Sequence, residues 1–202
     1  MRTAGIVLAA GASSRMGSPK ALLEDKEGIP LAVRQAEALR RGGCDWVAVV
    51  IGAKAEAVRM GLPAGLATAE NPAWATGRAT SLQAGVGAFP AADGYLFLPV
   101  DAAGTRAETV GAVLAAAAAE PEKVWRPTHG GRKGNLLWVP RGAAAELMRL
   151  PADARVDEWA KPLAREIEVA DPGILRNANT PEEWAEWVGE AGRGEGKAGG
   201  GE

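Results

Sequence analysis

Thr3 to Ala9 is a short, partly β-branched apolar run without polar alternation, which predicts a central strand buried on both faces. A loop of small residues, Ala10 to Pro19, follows. Leu31, Val33, Ala36, Leu39 and Arg40 then mark a helix that stops at Gly42-Gly43. The alternation repeats, with a strand over Trp46 to Ile51, a short helix over Lys54 to Met60 and a weaker strand over Gly65 to Ala69. Thr80 to Ala88 reads as a helix, Gly94 to Val100 as a strongly apolar strand, and Thr105 to Ala119 as an alanine-rich helix ended by Pro121.

The second half is less periodic. Strands are expected at Lys123 to Arg126, Asn135 to Val139 and Glu166 to Val169, and helices near Gly142 to Leu150 and Val156 to Ala164. A last helix, Pro181 to Val188, has proline in its first turn, Thr180 as its expected N-cap, and Trp184 and Trp187 on one face. From Gly189 onward glycine and scattered charges offer too little apolar surface to offset ordering entropy, so 189–202 is expected to be a disordered tail. Strands alternating with helices predict one α/β domain over residues 1–188. It is a three-layer α/β/α arrangement around a mostly parallel sheet with a mixed edge, binding ligands beyond the carboxyl ends of the strands.

Composition narrows the partners. With 202 residues and 47% hydrophobic, one well-filled domain is the expectation. Lys+Arg 23 against Asp+Glu 25 leaves no basic field for a nucleic-acid backbone. No apolar run approaches the roughly 20 residues of a membrane span. Cys44 stands alone, without an internal disulfide partner, and reads as a small buried hydrophobe; with no signal-like segment, a cytoplasmic setting is expected.

The chemistry concentrates after the first strand, in Leu8-Ala9-Ala10-Gly11-Ala12-Ser13-Ser14-Arg15-Met16-Gly17-Ser18-Pro19-Lys20. Glycines and small side chains let backbone N–H groups approach phosphate oxygens, while Arg15 and Lys20 supply positive charge. The Walker A pattern needs Gly-Lys-Ser/Thr together, and Ser18-Pro19 separates Gly17 from Lys20. The dinucleotide pattern needs a second glycine where Ala12-Ser13 stands.

This string resembles the signature of the nucleotidyltransferases that activate sugar phosphates, isoprenoid precursors and molybdopterin, Leu-Ala-Ala/Gly-Gly-x-Ser-x-Arg-Met-Gly-x-x-Lys. The resemblance implies that nucleotide lies against Leu8, Ala9, Ala10, Gly11 and Ala12, that Arg15 faces the leaving pyrophosphate, and that Lys20 neutralises charge at the α-phosphate. Within the nucleotide-diphospho-sugar transferase-like superfamily the molybdenum cofactor nucleotidyltransferases fit best, from chain length, the Asn-Pro-x-Trp-x-x-Gly stretch at Asn71 to Gly77, and the asparagine-rich segment before Pro181.

Three further pieces belong to the same resemblance. Gly77 and Ser81 match a Gly-x-x-x-Ser-Leu stretch beside the nucleotide's sugar and base, although Thr80 or Ser81 could equally cap a helix. Asp101, just past Phe97-Leu98-Pro99-Val100, is the expected Mg2+ ligand, on the same sheet edge as the phosphate loop if the strands are parallel. The family's Asp-x-Pro is replaced by Asp101-Ala102-Ala103-Gly104. Asn177-Ala178-Asn179-Thr180-Pro181-Glu182 resembles a metal-holding motif and makes Asn179 the second expected ligand. An amide in place of a carboxylate removes attraction on the order of 4 kcal/mol at about 4 Å and an effective dielectric of about 20, so the metal is expected to enter with nucleotide.

Arg132, Lys133 and Asn135 are expected on the acceptor side, and His129 in a solvated glycine-rich loop. The resemblance implies Mg2+-dependent transfer of a nucleoside monophosphate from CTP or GTP to a phosphorylated acceptor, molybdopterin first, with release of pyrophosphate and a molybdoenzyme as a further partner. Ala10 points to CTP and the Asn177 to Glu182 segment to GTP. A sugar phosphate as acceptor and a non-catalytic nucleotide-binding or cofactor-carrier module are the alternatives. An NAD-dependent oxidoreductase is disfavoured by the glycine spacing.

Overall fold

A computed structural model describes residues 1–194. Its first element is the expected strand, β1 (Thr3–Ala9), followed by α1 (Leu31–Arg41), β2 (Trp46–Ile51), α2 (Ala55–Gly61), β3 (Ala67–Glu70), α3 (Arg78–Ala88), β4 (Gly94–Pro99) and α4 (Ala107–Ala119). The second half holds β5 (Val124–His129), β6 (Arg132–Lys133), β7 (Leu137–Pro140), α5 (Arg141–Leu147), α6 (Val156–Ala160), β8 (Ala164–Glu168) and α7 (Pro181–Gly194).

The strands form one sheet in the order β3-β2-β1-β4-β7-β5-β6, with β8 pairing β5. β3, β2, β1 and β4 run parallel, β7 is antiparallel to β4, and β8 is parallel to β5. The mostly parallel sheet with a mixed edge is therefore present. Side chains alternate across it: Val7, Val49, Ile51, Leu96 and Leu98 pack with α1, α2 and α4, whereas Ile6, Val50, Tyr95 and Phe97 pack with α3, α5 and α6. Two cores on opposite faces make the three layers.

β1 lies between β2 and β4, and the chain leaves β1 toward β2 but returns from β3 to β4. Strand order thus reverses between β1 and β4, and a crevice opens at their carboxyl ends. Because the two strands are parallel in the register Leu8↔Pro99, the loop after Ala9 and the turn after Pro99 share one edge.

The second half departs from the expected boundaries. β5 continues through Pro127 to His129; Pro127 pairs with Ile167 of β8, and its carbonyl accepts from Gly134 N at 2.8 Å. Gly130 and Gly131, at φ 55° and 72°, turn β5 into β6. The helix expected from Val156 to Ala164 stops at Ala160, and β8 begins at Ala164. Thr180 caps α7 reciprocally with Glu183: Glu183 N donates to Thr180 Oγ1 at 3.3 Å and Thr180 N to Glu183 Oε2 at 3.2 Å. Trp184 and Trp187 stack at 4.9 Å. α7 continues past Val188 to Gly194, and the rest of the expected tail lies outside the described residues. Among the described residues no helix is long and apolar enough to cross a membrane.

Candidate functional site

The loop after β1 is shaped by two left-handed residues, Ser13 at φ 52° and Gly17 at φ 70°. Short 3₁₀ turns at Ser14–Met16 and Lys20–Leu22 bury Met16 and Ala21, which pins the loop at two points. Ser13 Oγ accepts from Lys20 N at 3.0 Å and closes it. Lys20 is thereby returned to the mouth of the loop it ends.

Across the crevice, Val100 N donates to Leu8 O at 3.0 Å, which fastens the turn after β4 to β1. Buried Gln35, from α1, donates to Ala102 O at 2.7 Å and Val100 O at 3.4 Å, holding that turn from behind. Asp101 is left pointing into the crevice, where its Oδ2 lies 3.0 Å from Lys20 Nζ. Lys20 Nζ also donates to Asn179 Oδ1 at 2.8 Å. Ala178 N donates to Asp101 O at 2.9 Å, so the segment before α7 is bonded directly to the turn after β4.

The turn Asp101-Ala102-Ala103-Gly104 has its own packing logic. A Cβ on Gly104 would come within 2.8 Å of the Gly173 Cα and carbonyl, so the two backbones touch. Asp171, itself buried, accepts from Gly173 N at 2.9 Å, Thr109 Oγ1 at 2.6 Å and Arg106 N at 3.2 Å, tying this contact to the start of α4.

Two adjoining cavities occupy the crevice. One of about 200 Å³ is lined by Leu8, Ala9, Gly11, Ser13, Ser14, Arg15, Lys20, Val100, Asp101 and Asn179. The other, of about 400 Å³, shares Leu8, Gly11, Asp101 and Asn179 and adds Ala10, Trp74, Arg78, Ser81, Pro99, Asn135 and Asn177. The loop's own side chains do not fill its mouth. Buried Asn71 donates to Ser81 Oγ at 3.0 Å and Thr80 Oγ1 at 2.8 Å, so the Ser81 hydroxyl keeps its hydrogen for a partner in the larger cavity.

Most expected residues converge. Leu8, Ala9, Ala10, Gly11, Arg15, Lys20, Ser81, Asp101, Asn135 and Asn179 line these cavities. Ala12 is exposed and lines neither. Gly77 is the residue just before α3, and a Cβ there would sit 2.5 Å from Ala152 O, a packing reason for glycine that needs no ligand. Arg132 and Lys133 are exposed on β6, outside both cavities, and Lys133 pairs with Glu166 at 2.8 Å. His129 is half-buried, with Nδ1 2.8 Å from Val169 O. Trp74 and Arg78 also line the larger cavity, and in the sequence they lie between Asn71 and Ser81 without a chemical pattern of their own.

For a metal, the described residues hold no group of three or more His, Cys, Asp and Glu. Asp101 and Asn179 offer hard oxygen donors, one charged and one neutral, which suits a magnesium ion that keeps water and phosphate oxygens as its other ligands.

A family model described as the MobA-like NTP transferase domain matches residues 5–168. The chain is 32% identical over 193 residues to nicotine blue oxidoreductase from Paenarthrobacter nicotinovorans, covering 89% of this chain and 93% of that protein. A nucleotidyl transferase from Methanothermobacter superposes with a TM-score of 0.80 at 21% identity, over 95% of this chain and 98% of that one. Molybdopterin-guanine dinucleotide biosynthesis protein A from Archaeoglobus fulgidus superposes with a TM-score of 0.74 at 15% identity, over 95% and 99%. The two structural likenesses speak to the fold.

Proposed function

The chain belongs to the MobA-like NTP transferase domain family, and from that premise we propose that it moves a nucleoside monophosphate from CTP or GTP to a phosphorylated acceptor in the cytoplasm, molybdopterin first among candidates. The observation that carries this reading is the meeting of Lys20, Asp101 and Asn179 under the glycine loop, at the point where strand order reverses.

In this reading the triphosphate lies along the backbone of Gly11 to Lys20. An acceptor phosphate oxygen attacks the α-phosphorus in line, a new P–O bond forms, and the bond to the bridging oxygen of pyrophosphate breaks. Arg15 and Lys20 neutralise the charge that collects on the departing pyrophosphate. Asp101 and Asn179 would hold magnesium, whose contribution when bound is to neutralise phosphate charge. The larger cavity takes the base and the acceptor, with Ser81 offering its hydrogen. Arg78, rather than Arg132 or Lys133, supplies the cationic group on that side, and Asp157 stands 3.6 Å from its guanidinium. Positioning and charge do most of the catalytic work.

A second reading, an oxidoreductase, is favoured by the name of the 32% identical relative. The two readings part in one assay. Protein, Mg2+, CTP or GTP, and either molybdopterin or a sugar phosphate are mixed, and pyrophosphate is measured; parallel samples are titrated with NADH. Release with one nucleotide and one acceptor is expected. Silence with every pairing, together with NADH binding, would favour the oxidoreductase.

A further inference from the structure

Lys20 occupies the place where the cation ligands meet. Its ammonium lies 3.0 Å from Asp101 Oδ2 and 2.8 Å from Asn179 Oδ1, and its side chain is 12% exposed. Those two oxygens are the pair that faces both cavities of the crevice. Magnesium approaches oxygen to about 2.0–2.1 Å, so an ion bridging the same pair would overlap the ammonium. The described residues hold no group of three acidic, histidine or cysteine side chains, and the nearby Glu183 carboxylate is taken up by the backbone N–H groups of Asn179 and Thr180, at 2.6 and 3.2 Å.

The lysine is nevertheless built to move. Its backbone N–H is fixed on Ser13 Oγ at 3.0 Å, inside the phosphate loop, while a flexible four-carbon stem carries the charge. Arg15 and Ser14 line the same cavity, so the stem can carry its charge from the Asp101 side toward the loop. A triphosphate on that loop presents several negative oxygens, against one carboxylate and one amide on the opposite wall.

We propose that Lys20 is a resident counter-ion that keeps the Asp101 and Asn179 oxygens closed to divalent cations until a polyphosphate draws its ammonium onto the loop. The metal then enters with the nucleotide and not before it. This rests on the nucleotide reading for the identity of the polyphosphate, but the gate itself can be read without nucleotide.

The test titrates Mn2+ alone into the full-length protein, following the loss of the free aqueous Mn2+ signal by electron paramagnetic resonance. Removing the positive charge in Lys20→Met, with Lys20→Gln as a second variant, should tighten Mn2+ binding at least about tenfold over the unmodified chain. Lys20→Arg keeps the charge and should bind as weakly as the unmodified chain. Adding Asp101→Asn to Lys20→Met should abolish the gain. Equal Mn2+ affinity in the unmodified, Met and Gln chains, or a gain that survives loss of the Asp101 carboxylate, would overturn the gate. Melting curves with α,β-methylene CTP or GTP in EDTA read nucleotide binding separately. If neither analogue raises the melting temperature, the nucleotide reading falls while the manganese result still judges the gate.

Discussion

Replacing Asp101 or Lys20 by alanine removes one half of an ion pair whose atoms are 3.0 Å apart, at a place that is only partly shielded, with side-chain exposures of 12% and 29%. The stability at stake is accordingly about 1 kcal/mol or less. Chemistry should suffer far more: pyrophosphate release is expected to fall at least about a hundredfold in either variant, with melting temperatures close to the unmodified chain. Cys44 offers a check on the core. Burial, and after it the neighbouring Asp45 carboxylate, push its thiol from 9.0 up to about 12. In the folded chain it should resist alkylation at mild alkaline pH and react once denatured. With the folded value raised, the thiol's contribution is complete below the unfolded value near 9.0 and is lost as pH climbs toward about 12, so urea midpoints should fall across that window. At this scale the sequence was legible where a site is contiguous. Gly11 to Lys20 could be read as a unit, whereas Gln35 acts on Val100 and Ala102, and Asp171 on Thr109, through contacts only the fold creates.

Among the elements, the contact between Gly104 and Gly173 matters most, because it presses the turn carrying Asp101 against the segment leading to Asn179. An added Cβ on Gly173 would overlap the Gly104 carbonyl, and backbone cannot swing aside as a side chain can. Gly173→Ala should therefore cost about 1–3 kcal/mol in a urea melt, and pyrophosphate release should drop further than that loss of folded protein explains. Activity intact beside a normal melt would show that the two segments need not touch. β1 and β2 coincide with their expected spans because both are continuous buried runs. β8 started earlier than expected because its residues are mostly exposed and show no period to read. Arg132 and Lys133, expected on the acceptor side as a basic pair, follow the Gly130-Gly131 turn onto an edge hairpin and line neither cavity, a placement their local sequence does not encode.

For the molecule as a whole, the reversal of strand order between β1 and β4 puts a glycine loop, the Asp101 carboxylate and the cationic Arg15, Lys20 and Arg78 into one crevice, so a ligand held there should stabilise the entire fold. The direct measurement is a melt with Mg2+ and CTP, GTP or NADH in turn. At about a hundred times its dissociation constant a ligand adds about 2.7 kcal/mol, which for a chain of this size raises the melting temperature by roughly 5–10 °C. That rise is expected with CTP or GTP, little of it with NADH, and most of it should be lost in Lys20→Ala. No rise with either triphosphate, or a rise of equal size in Lys20→Ala, would contradict the nucleotide reading.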